Sequence, residues 1–190
     1  MRDLYHGTIY DIKEIDVTQG KGYKDFGKGF YATSVKCHAD NIARRNKSSM
    51  LLKESKIKKR NPKYRGGTFQ AYRYNLEFDD RCLDEPEGLK VKVFKEADRE
   101  WVRFILQNRE SDAKLHDYDI VIGPTADENT VTVINIYREA IKEAKDSDEV
   151  LDALIKDLEP ENLPKQYYFG TNKAIQKLRF KQISPAKKCQ

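Results

Sequence analysis

The stretch Asp25-Phe26-Gly27-Lys28-Gly29-Phe30-Tyr31-Ala32-Thr33 brackets a lysine with two glycines and then runs into an aromatic pair. Glycine takes backbone conformations that a Cβ forbids, and it admits another group close to the main chain. The pattern predicts a bend feeding a strand, with Tyr31 presented at the strand's edge. Taken alone, the stretch reads first as a hairpin turn with a core tyrosine, because short Gly motifs recur by chance. A second short motif upstream, Leu4-Tyr5-His6-Gly7-Thr8, gives the stretch its weight.

The chain has 190 residues, enough for one domain spanning 1–190 with a substantial core. Hydrophobic residues at 38% and charged residues at 35% describe a polar, folded chain and exclude a disordered one. No apolar run approaches the length that crosses a bilayer, and the N-terminus has no apolar signal core. These features predict a cytoplasmic protein with no membrane partner. Cys37, Cys82 and Cys189 are odd in number and widely scattered, so they predict neither a metal site nor a disulfide framework, as in a reducing compartment.

The net charge of +5 is unevenly spread. Arg44 to Arg65 holds ten Lys or Arg against one acid, Glu54, whereas Glu139 to Glu161 holds nine acids against three lysines. A basic run of this kind is usually a solvated face, and it also keeps an anionic partner such as nucleic acid open.

Along the chain, residues 4–9 read as a strand and 34–45 as a helix, with Ala39, Ile42 and Ala43 on one side. Gln70-Tyr72-Tyr74-Leu76-Phe78 alternates with polar residues, a strand pattern, and Leu89-Val91-Val93 repeats it briefly. Residues 97–108 form an amphipathic helix that turns Ala97, Trp101, Phe104 and Ile105 to the core, with Arg99 and Glu100 as a surface pair. A buried strand at 119–123 follows. Asp127 is placed to cap a helix through Ile141, and a further helix at 148–158 stops before Pro160. Together, about 128–158 reads as a helical insertion. A strand at 166–169, a helix at 172–178 and a strand at 180–183 complete the chain. His38 and His116 have no acidic or thiol partner at useful spacing and read as surface or satisfied histidines.

His6-Gly7-Thr8 followed by Phe26-Gly27-Lys28-Gly29-Phe30-Tyr31-Ala32 resembles the Leu-Trp-His-Gly-Ser and Phe-Gly-Lys-Gly-Ile-Tyr-Phe pattern of the PARP and diphtheria-toxin branch of ADP-ribosyltransferases. The rest of the chain is similar to a compact bacterial family of that superfamily, with Tyr118-Asp119-Ile120-Val121-Ile122-Gly123-Pro124 and a Gln-aromatic strand at Gln166. The resemblance implies an α+β fold, with split antiparallel-rich β-sheets around an NAD cleft and peripheral helices. It implies NAD as substrate, no metal, and His6, Tyr31 and Gln166 as catalytic residues. Cofactor binding would fall to His6, Gly7, Thr8, Phe30 and Tyr31. His6 would bond the adenosine-side ribose, Gly7 and Thr8 would hold the nicotinamide amide, and Tyr31 would stack on its ring.

Active members carry a glutamate where Gln166 stands. Glutamine keeps a hydrogen bond to the ribose and loses the negative charge that favours departure of nicotinamide. Glu161 lies upstream, too far along an extended chain to replace it. The implied activity is mono-ADP-ribosyl transfer to a protein or nucleic-acid acceptor, as in a bacterial toxin or effector with an antitoxin partner. The alternative is a catalytically inactive NAD- or ADP-ribose-binding module. Asp25 and Lys28 read as residues of the cleft mouth or of a solvated turn.

Overall fold

The computed structural model describes residues 1–84, 88–126, 128–143, 147–158 and 163–189. Seven strands and five α-helices occur among them. The strands are β1 (Arg2–Thr8), β2 (Phe30–Thr33), β3 (Tyr72–Phe78), β4 (Val91–Val93), β5 (Ile120–Pro124), β6 (Lys165–Phe169) and β7 (Leu178–Pro185). The helices are α1 (Lys36–Arg60), α2 (Arg99–Arg109), α3 (Glu128–Glu143), α4 (Asp148–Asp157) and α5 (Asn172–Ile175). This is the expected α+β class. The chain divides into two compact units, one of residues 1–15, 32–80 and 177–190, the other of 16–31 and 81–176. The proposed helical insertion forms α3 and α4; Asp127, Pro160 and Glu161 lie outside the described residues.

In the first unit β1 pairs antiparallel with the end of β2 and with β3, and β3 pairs antiparallel with β7. The alternation of β3 turns Tyr74, Leu76 and Phe78 into the core with Leu4 of β1. β7 is longer than the strand expected at 180–183, because it follows β3 along its whole length. Helix α1 lies against β1. A Cβ on Gly7 would stand 1.9 Å from the carbonyl oxygen of Ala39, so only glycine lets helix and strand backbones meet there. Asp40 of α1 and Arg73 of β3 close the same interface as a buried ion pair, with Arg73 Nη1 donating to both carboxylate oxygens at 2.7 and 2.6 Å.

Two sequence expectations are corrected in this unit. The basic run is helical: α1 continues fifteen residues past Arg45 to Arg60. It holds no Gly or Pro until Pro62, and Lys58, Lys59 and Arg60 complement the negative end of the helix dipole. The cysteines do form a disulfide: Cys37 at the start of α1 bonds Cys189 in the tail, their Cα atoms 5.8 Å apart. A separation of 152 residues hid that pairing from any spacing rule.

In the second unit β4 runs parallel to β5, and β5 pairs antiparallel with β6. Asp98 caps α2 by accepting from the Trp101 amide at 2.8 Å. Trp101 is fully buried, as its helical spacing predicts, and its indole N–H donates to the Pro124 carbonyl at 3.1 Å. Phe26, Phe94, Val102, Ile105, Val121, Ile134, Leu151, Leu154 and Tyr168 complete this core. Arg99 and Arg103 on the outer face of α2 reach Asp148 and Asp152 of α4. Such exposed pairs contribute little beyond orientation. No helix among the described residues is long and apolar enough to cross a membrane.

Candidate functional site

The predicted site residues fall into two groups. His6, Gly7 and Thr8 lie in β1 of the first unit; Phe30, Tyr31 and Gln166 belong to the second. His6 is half-buried opposite Tyr74 of β3. Thr8 is buried, and its hydroxyl accepts from the Tyr10 amide at 3.2 Å, a turn that ends β1.

In the second unit the bend expected from sequence is present. Gly27 has φ +80°, and a Cβ there would also stand 2.8 Å from Asn108 Oδ1. Gly29 packs against β6, where a Cβ would meet the Tyr168 ring at 2.4 Å. The chain then enters β2 with Phe30 buried and Tyr31 half-buried. The Tyr31 hydroxyl closes the bend on itself, accepting from the Phe26 amide at 3.1 Å and donating to the Gly27 carbonyl at 2.6 Å. Burial, with the Asp25 carboxylate nearby, pushes its pKa well up, so this hydroxyl stays protonated and tethered. The ring meets Tyr168 edge-on, centroids 5.4 Å apart.

Asp25 is not in a solvated turn. It is 5% exposed, receives three hydrogen bonds and pairs with the Arg109 guanidinium. Oδ1 accepts from Arg109 Nε at 2.7 Å and pairs with Nη2 at 2.5 Å, while Oδ2 accepts from the Ala126 amide at 2.9 Å and from Gln166 Nε2 at 2.6 Å. Gln166, 8% exposed, also donates Nε2 to the Pro124 carbonyl at 3.2 Å. Two acceptors fix the amide's orientation, with its nitrogen toward Asp25 and Pro124. The buried side-chain atoms without a partner among the described residues are Asn108 Oδ1 and Arg138 Nε.

The same network explains why glutamine stands at 166. A glutamate would set a second carboxylate against Asp25 and the Pro124 carbonyl, where all the facing groups accept and none donates. Gln166 and Tyr31 are thus held by one short turn, through Asp25 in the first case and through Phe26 and Gly27 in the second.

His116 is a satisfied histidine. Its Nε2–H donates to the Phe26 carbonyl at 2.9 Å and Nδ1 accepts from the Tyr118 amide at 3.2 Å, which selects the neutral ring. Burial lowers its pKa further, against the opposing pull of the Phe26 carbonyl. Among the described residues no group of three or more His, Cys, Asp or Glu is placed to hold a metal ion.

Sequence reading did not find Arg109, and it named Asp25 without its role. Arg109 ends an amphipathic helix as any basic C-terminal residue does, and it reaches Asp25 across 84 positions. The signal that was present is the position of Asp25 immediately before Phe26-Gly27.

No curated protein and no solved structure matches the chain. A family model matches residues 2–180, nearly the whole chain, and the protein therefore belongs to the family described as protein of unknown function (DUF3990).

Proposed function

We propose that the protein is a mono-ADP-ribosyltransferase that cleaves NAD and transfers ADP-ribose to a macromolecular acceptor. The observation that carries this reading is the anchoring of Gln166 and Tyr31 to the single turn Asp25–Gly27. The residues suit NAD. Gln166 Oε1 is an acceptor of the kind a ribose hydroxyl needs, on an amide whose nitrogen is held by a buried carboxylate that Arg109 neutralises. Tyr31 offers a half-buried aromatic ring whose hydroxyl is already used, so the ring position is set before ligand arrives. In β1 of the first unit the glycine at position 7 is required by the contact with Ala39.

When bound, NAD supplies the ADP-ribosyl group and nicotinamide as leaving group. This chain's residues bind and orient it; a neutral Gln166 stabilises developing positive charge less than a carboxylate does, so turnover is expected to be slow. Incubation with labelled NAD and cell lysate should leave label on protein or nucleic acid and release nicotinamide. Intact NAD with no transferred label overturns transfer. The missing charge at 166 favours the second reading, a module that binds NAD or ADP-ribose without turnover. Calorimetric binding without nicotinamide release, lost in His6→Ala or Tyr31→Ala, would establish it.

A further inference from the structure

The C-terminal half of α1 carries positive charge on every side and has little packed against it. From residue 51 to 60 only Glu54 is buried. That one acid of the basic run is turned inward, where its carboxylate accepts from the Gly67 amide at 2.5 Å and from the Tyr64 hydroxyl at 3.2 Å. The bonds fold loop 61–67, which carries exposed Lys63 and Arg65, back along the helix, with Gly66 against Lys58. Lys53, Lys56, Lys59 and Arg60 are exposed and enter no ion pair among the described residues. A shallow groove lined by Leu51, Glu54, Ser55, Lys58 and Lys59 runs on this part of the helix.

We propose that this helix end and its returning loop bind the phosphate backbone of nucleic acid. The charge is dense, of one sign and already relieved of its only acid, which is what a polyanion matches. The span from Arg44 to Arg60 is about 25 Å, roughly the length of seven base pairs. Ser48, Ser49 and Ser55 are exposed between the cations and add hydroxyl donors for phosphate oxygens. Leu51, Leu52 and Ile57 are also exposed, at 46%, 65% and 43%. They lie about 100–140° apart around the axis, so they form no single apolar stripe for a bilayer or an amphipathic partner helix to cover. The proposal does not depend on NAD chemistry and is tested without NAD.

The test is fluorescence anisotropy with a labelled DNA duplex of about 20 base pairs and a single-stranded RNA of the same length, titrated across salt concentrations. Wild-type protein should bind at least one probe, with affinity falling steeply as salt rises. Replacing Lys53, Lys56, Lys59 and Arg60 by Gln should weaken binding at low salt by about tenfold or more and reduce the log–log salt slope by about 3 to 4. A control with exposed Lys21, Lys24, Lys95 and Lys173 replaced by Gln removes the same charge elsewhere and should retain most of the affinity. Glutamine keeps helix propensity, and circular dichroism checks that each variant is folded. Duplex binding against RNA binding identifies the source of the phosphates. The proposal is overturned if wild type binds neither probe, if both variants lose affinity equally, or if the protein binds phosphatidylserine vesicles and no nucleic acid.

Discussion

Each unit of the molecule buries one aspartate against one arginine, and the two pairs do different things. Asp40–Arg73 is a clamp between a helix and a strand: both carboxylate oxygens face one guanidinium nitrogen, and Arg73 spends Nε on Asn75. Asp25–Arg109 is a hub. The same carboxylate also holds the Ala126 amide and the Gln166 side chain, so it fixes a loop and a strand residue along with its ion partner. A buried ion pair alone is weak evidence for added stability, because desolvation offsets much of the attraction. What distinguishes the second pair is that it also orients a neutral amide, that of Gln166.

Asp25→Ala should have the largest effect, because it strands Arg109, the Gln166 amide and the Ala126 N–H together. A loss of about 4–6 kcal/mol in urea denaturation is expected, against about 3–5 kcal/mol for Asp40→Ala. Equal losses would mean that the two additional donors contribute nothing, and the contrast between clamp and hub would fail.

Gln166→Glu sharpens the contrast by charge. It should cost about 2–3 kcal/mol at pH 8, since two carboxylates then face each other. The pKa of the introduced carboxyl would be raised in the folded state above its unfolded value, so stability should recover as pH falls and that carboxyl protonates. A variant as stable at pH 8 as wild type would show that the hub does not select glutamine. Gly7→Ala probes the clamp's interface instead. The new methyl would press on the Ala39 carbonyl, which belongs to helix backbone and yields poorly, so about 1–3 kcal/mol should be lost.

The smallest effect is the pH response of His116 beside the hub's turn. Its folded pKa lies below the unfolded value near 6.5, so the unfolded state takes up the proton first. Stability should be full above about pH 6.5 and decline as pH falls toward the folded pKa, and the melting temperature of His116→Gln should respond less over that window. An identical pH profile for wild type and variant would remove His116 from this account.

The local elements were legible because their causes are local. Alternation in Tyr72–Phe78, helical spacing around Trp101 and the glycines of the Phe26–Tyr31 bend all act within a few residues. The full length of α1 was not, since a basic run has no apolar period to announce a helix. Gln166 could be singled out by its place in a strand, yet its meaning depends on partners 141 and 42 positions away.

By itself, the sequence determined that Gly27 bends the chain into β2 with Tyr31 on it, and that an uncharged amide occupies position 166. Only tertiary structure decided that Asp25 is buried, that it orients that amide, that Gly7 is demanded by a helix backbone, and that Cys37 meets Cys189. The physical reason is the same in each case. Backbone preference and hydrophobic period are properties of neighbours in the chain, whereas burial and hydrogen-bond partnership are properties of neighbours in space, chosen when the chain packs.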